Sequence, residues 1–200
     1  MFEVAEAYER QRGRSSKILA PLFVDSVDVK GEVLDVGCGT GALTFAIAKN
    51  KTASRIVAID LSEAFLAYAR SQSADPRITF EAGDAQNLRF PDASFDRCLA
   101  LLVVAFIPDA PRAAREMRRV TRPAGIVATS MWDNTGGNEL NESLWDAALS
   151  VDPKARQPKN RRGAYGTAED PVALWTAAGL TSIEVKNIVF PCGFDSFDDF

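Results

Sequence analysis

The sequence predicts an α/β protein, a doubly wound and mostly parallel sheet with helices on both faces, and three observations predict it. Short apolar runs rich in β-branched residues alternate with longer amphipathic stretches, the pattern of βαβ units. A glycine turn within Val33 to Leu43, VLDVGCGTGAL, links the first of these runs to an apparent helix. At 200 residues, 46% hydrophobic and 25% charged, the chain suits one domain with a full core.

Taken in order, strands are expected at Glu32 to Val36, Arg55 to Asp60, Ile78 to Ala82, Phe95 to Val103, Ile126 to Trp132 and Ser182 to Phe190. Helices fill the intervals: Glu6 to Asp25, Leu43 to Lys49, Glu63 to Gln72, Ala110 to Thr121, Leu140 to Ser150 and Pro171 to Ala178. Asp109 ahead of Pro111 reads as a helix start, and Pro123 with Gly125 as its stop. The arginines Arg112, Arg115, Arg118, Arg119 and Arg122 recur along that helix and read as its solvated face. The one shift in composition is Asp152 to Thr167, rich in Pro, Gly, Lys and Arg, which reads as a surface loop.

Charge and residue usage exclude several classes. A net charge of -4 argues against nucleic acid as the main partner. The longest apolar run, Cys98 to Pro108, is too short to span a bilayer as a helix, so no membrane span is expected. The N-terminus has no apolar core of a signal peptide, and a soluble cytoplasmic protein is expected. Cys38, Cys98 and Cys192 stand far apart with no CxxC spacing, which indicates neither a disulfide framework nor a zinc site, and no metal is expected. The count of histidines is 0, which removes the usual general base and the commonest transition-metal ligand.

The turn Gly37-x-Gly39-x-Gly41 lets backbone approach a ligand closely, and two ligand classes use such a turn. Read as Gly37-x-Gly39-x-x-Ala42, with Asp60 about 20 residues on, it fits a dinucleotide fingerprint. Asp35, two positions before the first glycine, favours a cationic ligand over a pyrophosphate. No Tyr-x-x-x-Lys pair follows to handle hydride and proton transfer. Gly83-Asp84-Ala85 then places a second carboxylate at the same edge of the sheet, where ligands of open α/β folds bind.

These stretches resemble class I S-adenosylmethionine-dependent methyltransferases, small-molecule branch, of the methyltransferase type 11 kind. VLDVGCGTG resembles the first motif of that family, VAIDLSEAFLAYAR its second strand and acidic turn, and FEAGDAQNLRFPDASFD its third. FIPDAPRAAREMRRVTRPAGIVATSMW resembles the exit of the fourth strand, the helix and the fifth strand. The resemblance implies a Rossmann-like fold over residues 1 to 200 as a single domain, with 1–30 as an N-terminal helical cap and 133–179 as a substrate-side insertion between strands five and six. It implies S-adenosyl-L-methionine as cofactor, S-adenosyl-L-homocysteine as product, and methyl transfer to a small-molecule substrate by in-line displacement.

By position, the resemblance implies Gly37 and Gly39 under the methionine moiety, with Cys38 and Gly41 in the same turn and Asp35 in the floor. Asp60 meets the ribose hydroxyls, Leu61 packs on adenine, Asp84 meets the adenine amino group with Ala85 beside it, and Leu101 lies next to the aminoacyl end. Asp133 and Tyr8 are the candidate catalytic groups, and Trp132 and Tyr165 the candidate substrate contacts. The chain departs from the family in having Ala105-Phe106 where histidines are frequent, and Pro123-Ala124-Gly125 where Pro-Gly-Gly is frequent. It also stops at Phe200, soon after the sixth strand, whereas the family sheet has a seventh, antiparallel strand. A missing C-terminal piece, or a strand supplied by a partner, is the expectation, and the unfilled edge makes a homodimer a candidate assembly. A non-catalytic S-adenosylmethionine-binding module and, third, an NAD(P)-dependent oxidoreductase are the rival readings.

Overall fold

The computed structural model describes residues 2–133, 139–155, 167, 169–191 and 193. Five strands form one sheet: β1 (Gly31–Val36), β2 (Ala53–Asp60), β3 (Ile78–Ala82), β4 (Phe95–Leu101) and β5 (Thr121–Ser130). Their order is β3-β2-β1-β4-β5 and every pairing is parallel. The order reverses at β1, so the exits of β1 and β4 diverge and leave a crevice at their carboxyl ends.

Alternate residues of each strand serve opposite faces. Val33, Ile56 and Leu99 pack on Ala20, Phe23 and Val24 of α2 (Arg14–Ser26) and on Leu43, Ala46 and Ile47 of α3 (Ala42–Lys49). Leu34, Val36, Val57, Ile59, Cys98 and Ala100 pack on Ala110, Ala114, Met117 and Val120 of α5 (Ala110–Val120) and on Leu174 and Trp175 of α7 (Glu169–Ala177). Burial on both faces explains why β1, β2 and β4 read as continuous apolar runs, while the edge strands β3 and β5 are more exposed. The Ser62 hydroxyl caps α4 (Glu63–Ser71) by accepting from Phe65 N at 3.4 Å, and Asp109 Oδ1 caps α5 by accepting from Arg112 N at 2.9 Å.

Four details depart from the sequence reading. The expected first helix is α1 (Phe2–Tyr8), a π-helical turn at Glu9–Gly13, and α2; the turn carries one residue more than an α-helical turn and rotates the residues ahead of it. β4 ends at Leu101 and not at Val103, because Leu102 adopts a left-handed φ of 57° that breaks the ladder. β5 begins at Thr121 and ends at Ser130, earlier at both ends than expected: Thr121 pairs with Phe95 and Ile126 with Arg97, and the strand bulges through Pro123, Ala124 and Gly125 between them. Ser182 to Phe190 forms no ladder among the described residues, so the expected sixth strand is an extended segment, with Ile183 against one core and Ile188 against the other. The helix expected at Leu140 to Ser150 is α6 (Glu139–Val151).

Candidate functional site

The registers set the site level. Val36 pairs with Ile59, Asp60 with Ala82, and Leu101 with Ser130, so the exits of all five strands open on one edge. At that edge the chain after β1 folds back: Gly37 N and Cys38 N both donate to Ile59 O, at 2.8 and 2.9 Å, and Gly41 N donates to Cys38 O at 2.9 Å. Gly37, Gly39 and Gly41 all take left-handed φ values, 70°, 54° and 98°. They do so for different reasons. A Cβ on Gly37 would lie 2.5 Å from Val103 Cγ2 and one on Gly41 2.7 Å from the Phe45 ring, whereas one on Gly39 would meet nothing within 4 Å. Two glycines are therefore needed by the fold, and the third leaves a bare backbone facing open space.

Asp60, the last residue of β2, braces that backbone. Its Oδ2 accepts from Gly39 N at 2.9 Å and its Oδ1 from Ser62 N at 2.8 Å, while its own carbonyl accepts from Gly83 N at 3.0 Å. One carboxylate thus joins the glycine turn, the start of α4 and the exit of β3. Asp84 stands in the turn after β3, and Gln86 donates to it from both its backbone and its side chain, which holds the Asp84 carboxyl below the usual carboxylate range. Leu61, 75% exposed, offers an apolar surface above this edge, and Ala85 and Leu101 are half-buried at its rim.

Beneath the turn lies Asp35, fully buried at 0% exposure. Its Oδ2 accepts from the Thr44 hydroxyl at 2.6 Å, and its Oδ1 has no hydrogen-bond partner. Burial pushes its carboxyl up to about 7, with the Thr44 hydroxyl opposing and the Asp60 charge adding to the rise. The sequence reading puts Asp35 in the site floor, and in the structure its side chain is sealed from solvent. Cys38 is buried, and desolvation with the Asp35 and Asp60 charges pushes its thiol up.

Among the remaining candidates, the Tyr8 ring lies against Phe65 of α4, centroids 5.1 Å apart and planes at 44°. The residue that reaches the glycine turn from this segment is its neighbour Glu9, which accepts from the Thr40 hydroxyl and forms an ion pair with Lys17. Trp132 follows β5 at the same edge, its ring 6.1 Å from that of Phe190, and Asp133 next to it is exposed. Tyr165 lies outside the described residues. Phe106, in a short 3-10 turn (Val104–Phe106) after β4, is 76% exposed. Glu9, Thr44, Gln86 and Phe106 are additions to the sequence reading. Two of them had a signal there: Thr44 is one turn into the helix that the glycine turn starts, and Phe106 stands where histidines are frequent in the family.

A turn of bare backbone, a bracing carboxylate and a second carboxylate at the next strand can accept a ligand with hydroxyl and amino donors. Residues 34–129 match a family model described as a methyltransferase domain. A malonyl-(acyl-carrier protein) O-methyltransferase of Pectobacterium atrosepticum is 38% identical over 135 residues, covering 68% of this chain and 51% of that protein. The chain spans about half the length of the curated relatives it matches. The structure of an S-adenosylmethionine-dependent methyltransferase from Mesorhizobium loti is 30% identical with a TM-score of 0.52, over 57% of this chain and 53% of that one. In fold alone, a methyltransferase of Aquifex aeolicus superposes with a TM-score of 0.66 over 90% of this chain and 88% of its own, at 16% identity. No helix among the described residues is long and apolar enough to cross a membrane. The chain belongs to the class I S-adenosylmethionine-dependent methyltransferase family.

Proposed function

We propose that this chain transfers a methyl group from S-adenosylmethionine to a small acid, free or carrier-linked, that presents a carboxylate beside Phe106 and Trp132. The observation that carries the reading is the pair Asp60 and Asp84 at adjacent strand exits, with Asp60 bonded to the bare backbone of Gly39. In this reading Gly37, Cys38, Gly39 and Gly41 let backbone lie against the methionine half. Asp60 accepts from the ribose hydroxyls, and its bonds to Gly39 N and Ser62 N keep both oxygens aimed. Leu61 and Ala85 flank adenine, Asp84 accepts from its amino group, and Leu101 borders the aminoacyl end. Asp35 lies below the turn with its carboxyl raised by burial, and a positive charge bound above it would favour the ionised form.

When bound, S-adenosylmethionine supplies a methyl carbon on a positively charged sulfur, which keeps the bonding electron pair as the methyl passes to the acceptor oxygen. The work left to the protein is alignment and exclusion of water, and such positioning supplies about 7 to 11 kcal/mol of barrier reduction. A carboxylate acceptor suits this site because it is ionised at neutral pH without help, its ordinary pKa being about 4. The chain, with 0 histidines, has no ready general base. The curated relatives named for a malonyl group support the same acceptor class. For a hydroxyl acceptor, Asp133, exposed after β5, is the candidate to take the proton, with Tyr8 as the candidate from the N-terminal cap. Residues 1–30 act as the cap of this site and 133–179 as its acceptor side.

Calorimetry with S-adenosylmethionine and S-adenosylhomocysteine tests the reading, followed by a screen of small acids and malonyl thioesters for S-adenosylhomocysteine formation. Micromolar binding and turnover on an acid are expected; binding of neither nucleoside would sink the reading.

A further inference from the structure

Gln86 stands at the junction of two elements that share no strand pairing, the turn after β3 and the start of α5. Its backbone N–H donates to Asp84 Oδ1 at 2.8 Å, and its side-chain Nε2 donates to Oδ1 at 3.1 Å and to Oδ2 at 3.3 Å. The other end of the same amide, Oε1, accepts from Asp109 N at 3.0 Å. A backbone N–H can only donate, so Asp109 fixes which way the amide points: oxygen toward α5, NH2 toward Asp84. Asp109 is itself held as the cap of α5 through Arg112 N. The direction of the Asp84 carboxylate is thereby tied to the end of a helix.

The loop that contains Gln86 does not depend on it for its path. Glu116 Oε2 accepts from Leu88 N at 2.9 Å, and Arg119 donates to Leu88 O at 2.9 Å and to Phe90 O at 2.8 Å. Two side chains of α5 therefore hold the loop on the far side of Gln86. What Gln86 alone does is saturate Asp84 Oδ1 and leave Oδ2, with one long contact, as the open acceptor.

We propose that Gln86 is a positioning residue that aims Asp84 Oδ2, so that the site selects a nucleobase bearing an exocyclic amino group over its 6-oxo counterpart. The proposal rests on the cofactor reading above. An amino group gives Oδ2 a proton to accept, whereas a 6-oxo group presents lone pairs to lone pairs, and a site built for a hydrogen bond rejects an analogue that cannot make it. The preference depends on Oδ2 being held still, since a carboxylate free to swing away escapes the repulsion.

The test compares S-adenosylhomocysteine with its deaminated form, S-inosylhomocysteine, by calorimetry on the wild type, Gln86→Leu and Gln86→Glu, with thermal melts of each. The wild type is expected to prefer the adenine form by at least ~10-fold. Gln86→Leu should bring the two affinities within about 3-fold while the melt stays close to wild type, because Glu116 and Arg119 keep the loop. Gln86→Glu keeps the acceptor for Asp109 N but sets a second carboxylate against Asp84. Its preference should vanish at pH 8 and return at pH 5, where a shared proton restores the donor, and this variant carries the test if Gln86→Leu does not fold. Equal weakening of both ligands in Gln86→Leu, or an unchanged ratio, would show a merely structural residue and overturn the proposal. Equal binding of both ligands by the wild type also overturns it and spares the cofactor reading; binding of neither overturns both.

Discussion

Asp60 Oδ2 accepts a hydrogen bond from Gly39 N at 2.9 Å, so a carboxylate at the end of one strand fixes the backbone of the turn that leaves its neighbour. The same oxygens are the ones assigned to the ribose hydroxyls. Asp60→Ala should weaken S-adenosylhomocysteine binding more than ~100-fold in calorimetry, since it removes both hydroxyl acceptors and releases the turn. Asp60→Asn can keep one acceptor and should lose less, roughly 10-fold. Unchanged affinity in Asp60→Ala would refute the ribose assignment.

Asp35 gives stability a dependence on pH that few other groups in this chain can give. Its carboxyl is pushed up to about 7 in the fold against about 4 in an unfolded chain. Between those values the native state keeps a proton that the unfolded chain has released, so stability is full below about pH 4, falls as pH rises, and levels off above about pH 7. The drop is on the order of 4 kcal/mol for a group buried to this degree. With 0 histidines, few side chains compete in that window. Urea denaturation should therefore give higher stability at pH 5 than at pH 8, and Asp35→Asn, which can still accept from Thr44, should flatten the difference. A wild-type curve that rises from pH 5 to pH 8 contradicts the assignment.

Ala124 adopts a φ of 62° in the bulge of β5, a left-handed conformation that an alanine reaches at a cost of about 1–2 kcal/mol. Glycine takes it freely but adds entropy to the unfolded chain, leaving Ala124→Gly more stable by roughly 0.5–1 kcal/mol. The midpoint of thermal unfolding should rise by about 2 °C. A lower midpoint would mean that the Ala124 methyl makes contacts worth more than the strain.

The strands β1 to β4 and the carboxylates that end them were legible in the sequence because each follows from local pattern. A strand buried on both faces, as β2 is, reads as an apolar run that stops at Asp60, and the exposed edge strand β3 reads as an alternating one that stops before Asp84. What escaped depends on contacts between distant segments or on single dihedral angles. Glu9 meets Thr40 across 31 residues and Asp109 meets Gln86 across 23, and neither pairing leaves a periodic trace. The left-handed Leu102 shortens β4, and the pairing of Thr121 with Phe95 lengthens β5 through a Pro-Ala-Gly stretch that reads as a plain stop. Ser182 to Phe190 has the composition of a strand, but a strand also needs a neighbour to pair with, and composition does not carry that information.

The three glycines of the turn separate fold from function in a way that single substitutions can measure. All three sit at left-handed φ, so an alanine at any of them carries about 1–2 kcal/mol of backbone strain. At Gly37 that strain is joined by a Cβ placed 2.5 Å from Val103 Cγ2, and Val103 belongs to the packed core beneath the crevice. Gly37→Ala should therefore unfold at least ~2 kcal/mol more readily than wild type. At Gly39 the new methyl meets no atom within 4 Å, so Gly39→Ala should lose only the strain and stay folded. Its methyl would occupy the space where backbone is assigned to meet the methionine half, and binding of S-adenosylhomocysteine should fall more than ~30-fold. Urea melts and calorimetry on the two variants give the comparison. A Gly39→Ala protein that binds as tightly as wild type would show that the ligand does not lie against this turn.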